Sequence, residues 1–114
     1  MSKKELTVWF DQNGDLLMQG YSYSAAVAAS YGYKSEVAKD FHDTMKVLRI
    51  QEYRRKNARV HLQSITSNRK YYMFVDEFNE VIQKSLLQNL HIEGTWRFIK
   101  KGTGQALELL EAKP

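Results

Sequence analysis

Three short runs in the middle of the chain, Met45–Tyr53, Ala58–Thr66 and Tyr71–Val75, constrain the fold more than any other feature. In the first two, apolar and polar side chains alternate with a period of two, the mark of a strand with one buried and one wet face. Leu48 and Ile50 fall on one side, with Val60 and Leu62 as their match across the turn. Arg49 and Gln51 fall on the other, with Arg59, His61 and Gln63. The connections, Arg54-Arg55-Lys56-Asn57 and Ser67-Asn68-Arg69-Lys70, are polar and turn-like. This pattern predicts a three-strand antiparallel meander.

The flanking segments supply the rest of a sheet and its cover. Leu6–Phe10 and Leu16–Met18 surround Asp11-Gln12-Asn13-Gly14-Asp15, and Asn-Gly between two apolar runs predicts a β-hairpin. Residues 24–43 read as two short helices. Ser24 caps Ala25–Tyr31, which stops at Gly32, and Ser35 caps a second piece from Glu36 to about Asp43. Glu36 and Asp40 suit the positive end of that second helix. The longest helix is predicted over 76–88. Asp76 caps it, Phe78, Val81, Ile82 and Leu86 form one apolar stripe, and Asn89 ends it. Ile92–Lys100 and Ala106–Leu110 form a second hairpin around Lys101-Gly102-Thr103-Gly104-Gln105.

Strands mostly follow strands, so the expected class is α+β. It comprises an antiparallel sheet of N-terminal hairpin, meander and C-terminal hairpin, covered on one face by the amphipathic helix, with short helices in 24–43. The opposite face then stays open, and it carries Arg49, Arg59 and His61. A chain of 114 residues with 12% aromatics and one proline suits a single globular domain over 1–114.

Several chemistries are excluded. With no cysteine, there is no disulfide scaffold, Cys-based zinc site or thiol nucleophile. His42, His61 and His91 are scattered, none at metal-ligand spacing from another. Glu77 and Glu80 form an i, i+3 pair on a wet helix face. The expectation is therefore a non-enzyme with no catalytic residue, metal or cofactor. No apolar run approaches the ~20 residues of a membrane span, and Met1-Ser2-Lys3-Lys4 leads into no signal-peptide core, so a soluble cytoplasmic protein is expected.

The charge distribution is more informative than its total. The net charge is +4, but residues 41–72 alone hold eight basic and two acidic side chains, a net of +6. Such a cluster serves either as a solvated surface or as a polyanion-binding face. Tyr53, Tyr71 and Tyr72 stand among these cations, and rings among cations are what a single strand needs: a rail for phosphates and platforms for bases. The expected function is nucleic-acid binding. Arg49, Arg54, Arg55, Lys56 and Arg59 are the expected phosphate contacts and Tyr53 and His61 the stacking partners, with Arg69 and Lys70 completing the expected nucleic-acid-binding residues. Single or double strand, DNA or RNA, and the oligomeric state stay open. The rival reading is a protein-interaction module gripping a host protein through Tyr21, Tyr23, Tyr31 and Tyr33.

Three motif-like segments test these readings. Arg69-Lys70-Tyr71-Tyr72-Met73-Phe74-Val75-Asp76-Glu77-Phe78 is near the RNA-recognition-motif strand signature but meets neither glycine position, and the element order is wrong. Val27-Ala28, Gly32-Tyr33, Ala38 and Phe41 fit a helix-turn-helix spacing, though Glu36, Asp40 and Asp43 would crowd the recognition helix. Lys100-Lys101-Gly102-Thr103-Gly104-Gln105 lacks the Gly-Lys-Ser/Thr ending of a phosphate loop.

The run Lys70–Phe78 followed by Ile92-Glu93-Gly94-Thr95-Trp96-Arg97-Phe98-Ile99-Lys100-Lys101-Gly102-Thr103-Gly104-Gln105-Ala106 resembles small accessory proteins of T-even-type tailed phages. The resemblance covers roughly the C-terminal 40 residues and carries no motif of defined chemistry. It implies an accessory protein acting in the bacterial cytoplasm, on nucleic acid or on a host protein.

Overall fold

The meander forms and supplies three of the five strands of a larger sheet. The computed structural model describes residues 6–20, 25–51 and 58–113. Its elements are β1 (Thr7–Phe10), α1 (Ala25–Tyr31), β2 (Lys34–Val37), β3 (Phe41–Gln51), β4 (Arg59–Ser64), β5 (Lys70–Phe74), α2 (Glu80–Gln88), β6 (His91–Lys101) and β7 (Gly104–Ala112). A single 3-10 turn, Val75–Glu77, joins β5 to α2. The class is α+β. β1 and β2 form an antiparallel ribbon, and the other strands form one antiparallel sheet in the order β5-β4-β3-β6-β7.

That order is a Greek key. Three hairpin-connected strands are followed by a long connection through α2, which returns β6 to the side of β3. β5 and β7, the two ends of the order, approach each other, so the sheet curls into a partly open barrel. Residues 15–20 bridge the seam. Leu16 N–H donates to the Lys70 carbonyl at 2.9 Å, and Gln105 N–H to the Met18 carbonyl at 2.9 Å. Gly20 N–H donates to the Thr103 carbonyl at 2.7 Å, and Lys70 N–H to Asp15 Oδ1 at 2.9 Å.

Inside lie Val8, Phe10, Leu16, Met45, Val47, Val60, Leu62, Met73, Ile82, Trp96 and Leu107. Gln105 is fully buried among them and pins the ribbon and the seam together. Its Oε1 accepts from Trp9 N–H at 2.8 Å, and its Nε2 donates to the carbonyls of Leu17 at 2.9 Å and Trp9 at 3.2 Å. Gly20 passes so close that a Cβ there would stand 2.3 Å from Gln105 Oε1.

One expectation is refined and three are corrected. The N-terminal hairpin forms but is short: Asp11 N–H donates to the Asp15 carbonyl at 2.9 Å and Leu17 N–H to the Trp9 carbonyl at 3.1 Å around the Phe10↔Leu16 bridge, while β1 also pairs with β2 along Thr7↔Val37 to Phe10↔Lys34. The Asp11 carboxylate takes the amides of Asn13 and Asp15, shaping a five-residue loop, and the chain beyond Leu16 is drawn into the seam. The second short helix does not exist, because Lys34–Val37 satisfies its backbone on the edge of β1 and Phe41 already belongs to β3. The helix-turn-helix reading falls with it. Leu48 is not a core partner of Leu62. A bulge between Val47 and Arg49 re-phases β3, so Val47 pairs with Leu62 and Ile50 with Val60. Finally, α2 starts at Glu80, where Asn79 Oδ1 accepts from Ile82 N–H at 3.2 Å, and Asp76 lies in the 3-10 turn instead of capping.

The helix otherwise behaves as its stripe requires. Ile82 is fully buried, Phe78 and Leu86 pack against the core, and α2 lies on β3 and β6. Val81 points outward. Asn89 ends the helix in the left-handed conformation at φ 57°. No helix among the described residues is long and apolar enough to cross a membrane.

Candidate nucleic-acid interface

The register of β3, β4 and β5 sorts the predicted site residues into rows on the outer face of the barrel. One row is Lys46–Gln63–Lys70, the next Arg49–His61–Tyr72, and the third Gln51–Arg59–Phe74. Rows two residues apart along a strand stand roughly 6.7 Å apart, and neighbouring strands roughly 4.8 Å. Arg49 and Lys70 are exposed, while Lys46, Gln51, Gln63 and Tyr72 are half-buried. No carboxylate stands among the described residues of these rows, and no ion pair among them involves Lys46, Arg49 or Lys70.

Three cations on and just after β6 and β7 are arranged differently. Arg97 lies 3.2 Å from Asp40 and 3.9 Å from Glu108, Lys101 binds Asp76 and Glu77, and Lys113 lies 3.4 Å from Glu93. The hydrogen bond from Lys101 to Asp76 raises the lysine pKa, and the bond to Asp40 does the same for Arg97.

Two residues expected on a wet face are buried. Arg59 is 5% exposed. Its guanidinium lies over the Phe74 ring at 4.5 Å, and Nη1 donates to the Ala58 carbonyl at 3.2 Å. It fills the seam: a Cβ on Gly104 would stand 2.8 Å from Arg59 Nη2 and 3.2 Å from Phe74. Arg59 therefore serves packing rather than a solvent-facing phosphate contact. His61 is 8% exposed and meets Tyr72 edge to face at 4.9 Å. Its Nε2 is buried with no hydrogen-bond partner among the described residues. Burial first, then the charges of Arg49 and Lys70, lower its pKa below the usual 6.5. His61 is thus a neutral support beneath Tyr72, and Tyr72 presents the ring.

Arg69 leaves the face. Lys70 opens β5 and stays with the rows, while Arg69, in the connection before it, turns toward β1. Its guanidinium lies 5.6 Å from the centre of the Phe10 ring. Burial raises the pKa of the neighbouring Tyr71 phenol, and a hydrogen bond and charge from Arg69 oppose that rise. Tyr53, Arg54, Arg55 and Lys56 lie outside the described residues, as do Tyr21 and Tyr23 of the rival reading.

Lys46 and Tyr72 complete the face and were not among the predicted contacts. The cross-strand register would have found them, because Gln63 and His61 were already placed on the same side. Among the described residues no group of three His, Cys, Asp or Glu is arranged to hold a metal. In comparisons with known proteins, no family model matches this chain, and no curated protein or solved structure matches it.

Proposed function

We propose that this is a small, non-enzymatic nucleic-acid-binding accessory protein that holds phosphates on the outer face of β3, β4 and β5. Lys46, Arg49 and Lys70 contact the backbone, and Tyr72, backed by His61, offers a ring to the bases. The observation that carries the reading is segregation of charge. Arg97, Lys101 and Lys113 are matched to carboxylates, whereas Lys46, Arg49 and Lys70 stand together with no ion pair among the described residues. A partly open five-stranded Greek-key barrel is also the architecture of OB folds, which bind oligonucleotides on the face of their second and third strands, here β4 and β5. That analogy is one of fold and adds support without assigning a function. The resemblance to phage accessory proteins implies action in the bacterial cytoplasm, which is part of the proposal.

The test is a fluorescence-anisotropy titration of single-stranded and duplex 20-mers at several KCl concentrations. Engagement of three cations gives a log–log slope of about −2 on single strands. Arg49→Glu with Lys70→Glu is expected to abolish binding, while Arg97→Glu leaves it unchanged. A slope near zero, or binding that survives the double reversal, refutes the reading.

One observation favours a second reading, a protein-interaction module. Tyr31 is 59% exposed and its ring stacks on Tyr33 at 5.3 Å, beside an exposed Val27 on α1. Loss of partner capture in Tyr31→Ala, with capture intact in the double charge reversal, would support it.

A further inference from the structure

Between the β1–β2 ribbon and the start of β3 and β5 runs a groove that neither the fold nor the three rows account for. Its main chamber has a volume of ≈ 300 Å³, at the lower end for small-molecule sites, and a second chamber of ≈ 170 Å³ adjoins it through Phe10, Glu36 and Arg69. The floor is aromatic. Phe41 lies 5.7 Å from Tyr71 and 5.4 Å from Phe98, and Phe10 meets Phe98 edge to face at 5.9 Å. Val37, 47% exposed, forms the opposite wall. Lys34, Lys39 and Arg69 line the two chambers against Glu36 and Asp11. Arg69 is held at the junction by the Phe10 ring and by Gly14, where a Cβ would stand 2.9 Å from its Nε.

We infer that this groove takes one unstacked base of a single strand, with Arg69 on its phosphate. The inference rests on the proposed function and extends it: the ligand is single-stranded, because a paired base cannot leave its stack to enter without cost. Arg69 and Lys70 are consecutive: Lys70 is exposed at the end of the first row, and Arg69 lies over Phe10 in the lining of the groove. A strand held at Lys70 therefore needs to travel only one residue along the chain to meet Arg69. The chamber suits one planar ring, the rings of its floor suit a base rather than an aliphatic chain, and Glu36 supplies an acceptor for an amino group on a base edge.

The experiment uses the full chain and a labelled, mixed-sequence single-stranded 20-mer. Val37→Trp fills the groove from a half-exposed strand position and removes no charge. It is expected to weaken binding roughly five- to 150-fold, the worth of one stacked base, with the salt slope unchanged. Arg69→Gln is expected to weaken binding and make the slope shallower by about 0.7. Wild-type affinity in both variants, with Lys70→Glu still impaired, overturns the groove and leaves the three-row face standing. Failure of the wild type to bind any strand overturns both. Should Val37→Trp fail to fold, an amide-shift titration of the wild type decides. Shifts at Val37 and Phe41 support the groove, and shifts confined to the three rows overturn it.

Discussion

Replacing Gln105 with alanine is the sharpest test of how the ribbon is fastened to the barrel. The side-chain amide makes three hydrogen bonds, at 2.8, 2.9 and 3.2 Å, to the backbone of Trp9 and Leu17. At roughly 0.5–1.5 kcal/mol net per bond, their loss costs about 3 kcal/mol, and the vacated volume adds to it. For a domain of this size, that lowers the melting temperature by on the order of 10 °C. Gln105→Met keeps the volume but not the bonds, so it separates the two contributions. The assay is thermal unfolding followed by circular dichroism, with urea titration to confirm two-state behaviour. If the alanine variant melts within about 2 °C of the wild type, the amide does not hold the ribbon, and the wall of the groove is not built as described.

Two further outcomes are expected. Ile82→Ala should destabilise by about 2–5 kcal/mol, because Ile82 is fully buried under α2, whereas Leu87→Ala at a 79% exposed position should change stability by less than about 0.5 kcal/mol; equal unfolding midpoints would show that the helix faces the wrong way. His61 has a folded pKa below 6.5, so the unfolded chain binds its proton more readily; the stability it contributes is present above about pH 6.5 and is lost as pH falls toward the folded value. Melting temperatures from pH 7.5 to 5 should therefore fall more steeply in the wild type than in His61→Gln, and parallel curves would refute the assignment.

The basic meander was legible because period-two alternation and polar turns are local signals, and β3, β4 and β5 lie within a few residues of their predicted bounds. The exposure of its face was not legible. Arg59 and His61 have the right parity, yet one is buried by Phe74 on the next strand and Gly104 across the seam, and the other by Tyr72 on the next strand. Arg69 was grouped with Lys70 by sequence proximity, although it lies in the connection before β5 and packs on Phe10. Gln105 looked like a turn residue because its partners, Trp9 and Leu17, are 96 and 88 positions away.

By itself, then, the sequence determined what depends on near neighbours: the three alternating runs, the stop of α1 at Gly32, the buried stripe of α2, the long C-terminal hairpin and the concentration of cations in residues 41–72. Tertiary structure alone decided what depends on distant partners. It gave β1 a second partner in β2 beside residues 16–17, and chose a strand rather than a helix for Lys34–Val37. It also curled the sheet until β5 and β7 met, leaving Arg49 and Lys70 in solvent while enclosing Arg59. The physical reason is that unpaired strand edges and apolar faces are satisfied by whatever the closed barrel brings beside them. That neighbour is set by the whole chain and not by the residues on either side.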